Sequence, residues 1–227
     1  MPELEPDELL ATTRSVRRRL DFQRPVPRSL IERCLELALQ APNGSNLNAW
    51  RFIVIDDPEC VKQAAGIYNR GLDAFIARLG DDVGENYMGA AVPGSERIAS
   101  SVEYLRANIH RSPALLVPLL PGRVEGLSAF FQASQWGSIV QAVWSFMLAL
   151  RVRGLGSAWT TGHLLEEAEM AKLLNVPFDS YTQVGLFPIA YTRGSDFRPA
   201  YRKPVAEVLG WNEFATSITA EEADRHA

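Results

Sequence analysis

The stretch APNGSNLNAW at residues 41–50 joins the apolar-periodic residues 28–40 to an apolar run at residues 50–56. Proline, Asn-Gly and serine commonly end helices and form turns, so the stretch predicts a helix, a turn and a strand in succession. It also places three asparagines and one serine in a short connection. Two interpretations stay open: an ordinary turn, or a turn whose amides face a polar ligand.

The bulk composition bounds the class of protein. The chain has 227 residues, 47% of them hydrophobic and 22% charged, and a net charge of −4. These values are typical of one globular domain, which we expect to span residues 1–227. The negative charge gives no general attraction to nucleic acid, and the acidic N-terminus does not resemble a signal peptide. Its two cysteines form neither a disulfide framework nor a zinc pattern, so a cytoplasmic location is expected.

Helical spacing dominates the N-terminal part of the chain. It predicts a helix that begins at Asp7 and ends within the arginines at residues 14–19. Two prolines then enforce an extended linker. A capping box at Ser29 begins the helix over residues 28–40, and a strand is predicted over residues 50–56.

The middle of the chain combines a less regular region with two apolar runs. Residues 58–112 predict two or three helices with glycine-rich interruptions, which we interpret as a helical insertion or lid over a site. Residues 114–120 predict a buried strand, in which Pro118 suggests a sheet edge or an irregularity. Residues 127–150 carry no charge, yet their serines, glutamines and internal tryptophans favour a central core helix or a subunit interface over a membrane span.

The C-terminal part alternates strand and helix patterns. It predicts a strand over residues 154–161, a helix over 164–174, a strand over 183–191 and a basic loop over 198–204. This mixed order indicates an α+β or α/β architecture with one layered sheet.

Standard catalytic and metal motifs are missing from the sequence. It has no phosphate-binding P-loop, no nucleophile elbow and no zinc-protease motif. His110, His163 and His226 lie far apart and lack the spacing of metal ligands, so no metal site is expected.

The remaining candidates are the arginine-rich residues 13–19 and the basic pair Arg202-Lys203. A cluster of this kind is commonly a solvated helix end or a nucleic-acid patch. Alternatively, Arg14 and Arg17 flank Ser15, and two guanidinium groups with a hydroxyl suit one phosphate, whose far side Arg202 would close. The residues alone leave both interpretations open.

Four motifs, taken in order, resemble the FMN-dependent nitroreductase family. They are TRSVR at residues 13–17, the stretch at 41–50, GLGSAW at 154–159 and YRKP at 201–204. The resemblance covers residues 7–210 and is weakest over 58–112. It implies an α+β fold, namely a three-layer α/β/α sandwich with a central, mainly antiparallel sheet and a long buried central helix.

The resemblance also implies which residues hold a tightly bound FMN. At the phosphate end these are Arg14, Ser15, Arg17, Arg202 and Lys203. The flavin ring would be lined by Asn43, Gly44, Ser45, Asn46 and Asn48. Backbone N–H groups of Thr160, Thr161 and Gly162 would face the flavin N5 edge. No catalytic side chain is expected, because the flavin itself performs the electron chemistry.

The chain departs from the family pattern at several positions. Thr13 stands where arginine is usual, Asn43 where serine is usual, and Ala49 where proline is usual. A pair of glycines usually follows the tryptophan of the third motif, and residues 160–163 read Thr-Thr-Gly-His instead. These departures concern the finer phosphate contacts and the substrate side of the ring.

The function implied by the resemblance is a ping-pong transfer of two electrons from NAD(P)H to a nitroaromatic, quinone or similar acceptor. The implied assembly is a homodimer with FMN at the subunit interface, and neither nucleic acid nor membrane is an expected partner. Two alternatives stay open: a protein that sequesters FMN with little turnover, and a reductive dehalogenase.

Overall fold

The computed structural model describes residues 4–78 and 95–214. The α-helices of these residues are α1 (Pro6–Thr12), α2 (Arg28–Ala38), α3 (Pro58–Arg78), α4 (Ser95–Asn108), α5 (Ala129–Val152) and α6 (Glu167–Leu173). The strands are β1 (Leu20–Asp21), β2 (Arg51–Ile55), β3 (Ala114–Pro121), β4 (Leu155–Gly156), β5 (Tyr181–Gln183) and β6 (Phe187–Thr192). The glycine-rich interruptions predicted between residues 80 and 94 lie outside the described residues.

One antiparallel sheet organises the chain, with strand order β1-β6-β3-β2, while β4 pairs with β6 and β5 pairs with β3. Strand β3 is apolar at nearly every position because both of its faces are buried. Leu116 and Leu120 join a core formed with α2 and α5, whereas Leu115, Val117 and Leu119 join a second core formed with α3, α4 and α6. The sheet therefore lies between two helical layers, which confirms the predicted α+β fold.

Pro118 does not mark a sheet edge, and of the two predicted alternatives the structure supports an irregularity. Strand β3 is central and pairs with β2 on one side and with β5 and β6 on the other. The carbonyl of Pro118 accepts a hydrogen bond from Val184 N at 3.0 Å, in the gap between the pairings of β6 and β5. Because the amide of an antiparallel residue points to the same side as its carbonyl, the missing N–H falls in this gap, where no ladder bond is lost.

Two predicted strands were too long, and the position of Trp159 explains the break in one of them. The predicted strand over residues 183–191 is split into β5 and β6 at Gly185, where a Cβ would lie 2.7 Å from Trp159 Nε1. The Trp159 indole donates to Val184 O at 3.2 Å, so the ring occupies the break. The predicted strand over residues 154–161 is reduced to β4 and a single bridge between Thr160 and Leu186.

The N-terminal helices also begin or end differently from the prediction. Helix α1 ends at Thr12, before the arginines, because Thr13 turns to an extended conformation and Val16 N instead donates to Ser157 O at 2.8 Å. Helix α2 begins at Arg28 after the extended Pro27, and no side chain caps it, so the capping role of Ser29 was wrong. The helix over residues 164–174 is confirmed as the shorter α6, preceded by a 3₁₀ turn over Gly162–Glu166.

Helix α5 contains most of the uncharged run over residues 127–150, and Ser128 is its N-cap residue. From Ile139 to Leu150 it buries one face in the first core, while Phe130, Phe131 and Trp144 are exposed. Within residues 4–78 and 95–214, none of the helices is long and apolar enough to cross a membrane.

Candidate functional site

The arginine-rich segment lies against the short strands at one end of the sheet. Besides the backbone bond to Ser157, Val16 is buried, and a Cβ on Gly156 would lie 3.0 Å from the Val16 Cβ. Arg14 and Ser15 are exposed and Arg17 is partly buried. This packing fixes the backbone of the segment and leaves its polar side chains facing outward.

Arg17 is a partly buried cation with little to neutralise it. The only hydrogen bond of its side chain in the described part of the chain is a long one, 3.5 Å from Nη1 to Ser101 Oγ, and none of the described carboxylates lies within 4.0 Å. Burial lowers the pKa of Arg17, and the nearby Tyr68 opposes this effect only in part. Burial in turn raises the pKa of Tyr68 to about 12. A guanidinium held in this way is ready to bind an anion.

The neighbouring Arg18 and Arg19 differ from Arg17 because each already has hydrogen-bond partners. Arg19 pairs with Asp196 at 2.5 Å and also donates to Arg193 O at 2.8 Å. Arg18 bonds Ser100 through both its hydroxyl and its carbonyl. The side chains of Arg18 and Arg19 therefore hold the segment in place, and this role distinguishes them from Arg17.

The C-terminal basic loop begins next to the arginine segment. Arg14 Nη1 donates to Arg198 O at 3.0 Å, and this bond brings residues 198–204 close to the segment. Arg202 donates to the neighbouring Tyr201 O at 2.7 Å, and both Arg202 and Lys203 are exposed. The structure thus brings the loop to the predicted phosphate end, with the side chains of Arg202 and Lys203 directed to solvent.

The segment Thr160–Gly162 is fixed at its first residue and open at the next two. Thr160 and Leu186 exchange both backbone hydrogen bonds, at 3.2 and 2.8 Å, and Thr160 Oγ1 also donates to Leu186 O. The backbone N–H groups of Thr161 and Gly162 have no acceptor among the described residues. Thr161 is exposed and Gly162 is partly buried, so two free donors lie at the surface of an anchored segment.

Helix α3 supports this segment through glycine contacts. A Cβ on Gly71 would lie only 1.9 Å from Gly162 O, and a Cβ on Gly162 would lie 3.0 Å from atoms of Tyr68 and Leu72. Tyr68 therefore touches the Thr160–Gly162 segment on one side and interacts with Arg17 on the other. Tyr68 therefore lies near both the predicted phosphate end and the predicted N5 edge.

Several polar groups of the turn at residues 41–50 form hydrogen bonds with one another. Asn43 Oδ1 accepts from Asn48 N at 2.9 Å, and Asn43 Nδ2 donates to Asn48 Oδ1 at 3.1 Å. Ser45, Asn46 and Asn48 have positive φ values of 53°, 53° and 50°, and asparagine tolerates this region well. The ordinary-turn interpretation thus accounts for Asn43 and Asn48, while Ser45 and Asn46 expose their side chains.

The same turn is attached to α5 rather than to the arginines. Gly44 N donates to Ser138 Oγ at 2.9 Å, and a Cβ on Gly44 would lie 2.5 Å from Ser134 Oγ. Within the described ranges, no hydrogen bond links residues 43–48 to the arginine segment or to Thr160–Gly162. Leu47, Phe130 and Phe131 are exposed, and the rings of Phe130 and Phe131 contact each other with centroids 5.2 Å apart.

Three residues of the site were not predicted from the sequence: Tyr68, Gly71 and the buried His163. A glycine inside the amphipathic α3 was a usable signal, because it often marks close backbone approach. Tyr68 and His163 gave no local signal. No group of three or more potential metal ligands occurs in the part of the chain that the structure describes, so the metal prediction is not contradicted there.

An antiparallel sheet between two helical layers, with a partly buried arginine that lacks a carboxylate partner among the described residues, defines an α+β protein with a candidate anion site. The sequence model described as "Nitroreductase family" matches residues 10–191. The chain belongs to the nitroreductase family. Its members include flavoprotein oxidoreductases, and the chain is of this type.

Individual relatives agree with this assignment. Iodotyrosine deiodinase from Thermotoga neapolitana is 28% identical over 200 residues, covering 88% of this chain and 94% of the relative. An FMN and NADPH-dependent nitroreductase from Sphigopyxis sp. strain HMH has a TM-score of 0.65 and 23% identity, over 93% of this chain and 100% of that one. An iodotyrosine deiodinase bound to FMN and 3-iodo-L-tyrosine has a TM-score of 0.63 and 22% identity, over 89% and 96%. The two structures share the fold.

Proposed function

We propose that the protein is an FMN-dependent oxidoreductase that transfers two electrons from NAD(P)H to a nitroaromatic, quinone or similar acceptor by a ping-pong mechanism. The observation that supports this most directly is Arg17, a partly buried guanidinium without a carboxylate partner in the described residues. Burying a cation is unfavourable unless an anion compensates for it. A flavin phosphate or the electron-rich edge of the flavin ring is an anion of the required size at this position.

The donor set of the site fits FMN. Arg14, Ser15 and Arg17 would hold one end, and Arg202 and Lys203 would close over it from the loop that begins beside Arg14. When bound, FMN supplies the two-electron chemistry, and the protein needs no acid–base pair for it. The free N–H groups of Thr161 and Gly162 would orient the ring, since two donors on an anchored segment keep their direction without reorganisation.

The proposal is tested first by the visible spectrum of the untreated protein and then by anaerobic mixing with NADPH and NADH. We expect flavin absorption with about one FMN per chain, and bleaching within seconds by at least one of the two nicotinamides. Reoxidation by a quinone or a nitroaromatic should then restore the colour. A colourless protein that binds no added FMN would refute the proposal, whereas a coloured protein that neither nicotinamide bleaches would indicate FMN storage.

Reductive dehalogenation is a second candidate function. The observation that favours it is the similarity to the Thermotoga neapolitana iodotyrosine deiodinase over 88% of this chain. Release of iodide from iodotyrosine by the dithionite-reduced protein would support this candidate. Rapid turnover of nitroaromatics with NADPH, without iodide release, would support the first.

We further propose a homodimer with FMN at the subunit interface. The turn at residues 43–48 is held on α5, apart from the arginine segment of its own chain, and the exposed Leu47, Phe130 and Phe131 lie on the same part of the chain. Exposed apolar area of this kind commonly marks a protein interface. A partner subunit would supply the turn that lines the ring in each site.

The dimer proposal predicts that a charge on α5 separates the subunits and releases flavin. Phe131→Glu should shift the solution mass from dimer to monomer in light scattering and lower the FMN content, because Phe131 is 58% exposed in the single chain. Leu10→Glu is the matched control, since Leu10 is 57% exposed but lies on α1. A wild-type monomer with FMN still bound would contradict the proposal.

A further inference from the structure

His163 is a fully buried imidazole that directly follows the predicted N5-edge segment. Its relative exposure is 0%, and neither ring nitrogen has a hydrogen-bond partner among the residues that the structure describes. Burial lowers the pKa of His163 to about 4, while the neighbouring Gln183 amide raises it slightly. At neutral pH the ring is therefore uncharged and carries one N–H donor, which still needs an acceptor.

Gln183 offers the matching acceptor from a fixed position. Its side-chain Nε2 donates to Glu167 O at 2.9 Å, and its backbone N donates to Glu167 Oε1 at 2.8 Å. Its Oε1, however, is buried without a partner. The carboxylate of Glu167 is in turn held by Arg123 at 2.7 and 2.9 Å. The Gln183 amide thus cannot turn freely, and it is close enough to the His163 ring to affect the pKa of that ring.

The two unsatisfied groups complement one another. A buried donor and a buried acceptor left apart each lose the free energy of solvation, so a small ring rotation that joins them is favourable. The bond would tie residue 163 to the chain of contacts formed by Gln183, Glu167 and Arg123. The opposite end of the segment is already tied, by the bridge between Thr160 and Leu186.

We propose that His163 is a positioning residue: its neutral imidazole donates to Gln183 Oε1 and thereby fixes the direction of the Thr161 and Gly162 N–H groups. The role of those N–H groups toward the flavin rests on the proposed function, whereas the bond between His163 and Gln183 does not. Gly162 has no Cβ to restrict its backbone, and Gly71 of α3 lies close to its carbonyl. An anchor immediately after Gly162 limits that freedom.

The bond itself is tested by ¹⁵N NMR of the histidine rings, with or without FMN. We expect one protonated ring nitrogen of His163 whose proton exchanges slowly and whose signal shifts in Gln183→Met, a variant of similar volume that lacks the acceptor. A His163 signal that is the same in wild type and in Gln183→Met would overturn the proposal. This result does not depend on whether flavin binds.

The positioning effect is tested in the FMN-loaded protein with His163→Phe. We expect about ten- to a hundredfold slower reduction by the nicotinamide that bleaches the wild type, together with a shifted midpoint potential, because small displacements of orienting groups have effects of this size. The FMN dissociation constant should change by less than about threefold, since Arg17 is untouched. His110→Phe, at an exposed histidine, is the matched control and should behave as wild type.

Conservative variants separate positioning from core packing. His163→Asn and His163→Gln retain an N–H donor, and the one whose amide reaches Gln183 should restore the wild-type potential and most of the rate. Equal loss in Phe, Asn and Gln variants would show that only ring packing matters and would overturn the proposal. Unchanged rate and potential in a folded His163→Phe protein would overturn it as well. Absence of flavin binding by the wild type would count against the proposed function, and the NMR result would still decide the bond.

Discussion

Gly71→Ala is expected to destabilise the protein and to slow flavin reduction, although alanine is the better helix former. The new Cβ would lie 1.9 Å from Gly162 O, and both partners are backbone, so neither can rotate away. Overpacking of this kind costs about 3 kcal/mol. The higher helix propensity of alanine offsets about 1 kcal/mol of it. The net loss of about 2 kcal/mol corresponds to a melting temperature lower by about 4–8 °C.

Gly71→Ala should also slow flavin reduction, because the strain acts on the Gly162 carbonyl. To reach ordinary contact at 3.4 Å, the Gly162 carbonyl must move by about 1.5 Å, and a displacement of only about 1 Å near a reacting centre can slow a reaction about a hundredfold. Stopped-flow reduction by NAD(P)H measures this rate, and calorimetry measures the stability of the same sample. The change should be larger in rate than in FMN affinity, because the arginine segment does not contact Gly71.

Gly66→Ala is the matched control, since it lies in the same helix one and a half turns earlier. A Cβ there would meet only Arg70 Nη1, at 3.8 Å, which is an ordinary contact. We expect it to raise the melting temperature by about 2–4 °C through helix propensity alone, with wild-type kinetics. If Gly71→Ala were as stable and as fast as Gly66→Ala, α3 would not support the Thr160–Gly162 segment.

Much of the fold could be predicted because local patterns and tertiary environment agree in its central elements. Strands β2 and β3 and helix α2 lie where the apolar periodicity predicts them, and β3 is apolar throughout because both faces are buried. Strand β1 has two residues and pairs with the end of β6, so no periodicity could reveal it. The break at Gly185 depends on the position of the Trp159 ring, which is distant in sequence.

The candidate site was predictable only in part, for a related reason. The arginine segment and Thr160–Gly162 follow linear motifs, and Tyr68 contacts the second and affects the pKa of Arg17 in the first. Tyr68 and His163 act by contact between elements that are far apart in the chain, which local patterns do not reveal, whereas Gly71 gave a partial signal as a glycine inside a helix. Asn43 and Asn48 hydrogen-bond to one another, so their contact with the flavin ring stays a prediction.

Arg17→Leu is expected to weaken FMN binding strongly while leaving the flavin-free protein as stable as before. A charge-assisted hydrogen bond to an anion contributes about 2–3 kcal/mol, so the dissociation constant should rise about 30- to 150-fold. Burial lowers the pKa of Arg17, which shows that the folded apoprotein holds this charge at a disadvantage. Leucine removes that disadvantage and keeps part of the packing volume.

Arg18→Leu is the matched control for this prediction. Arg18 is adjacent in sequence and carries the same charge, but it bonds Ser100 and lies over the Tyr104 ring, 5.8 Å from its centroid. We expect its loss to change FMN affinity by less than about threefold and to reduce stability slightly, by about 0.5–1 kcal/mol. Fluorescence titration of the apoproteins with FMN, and calorimetry without it, separate the two. Equal loss of affinity in both variants would mean that overall positive charge, rather than the half-buried position of Arg17, attracts the cofactor.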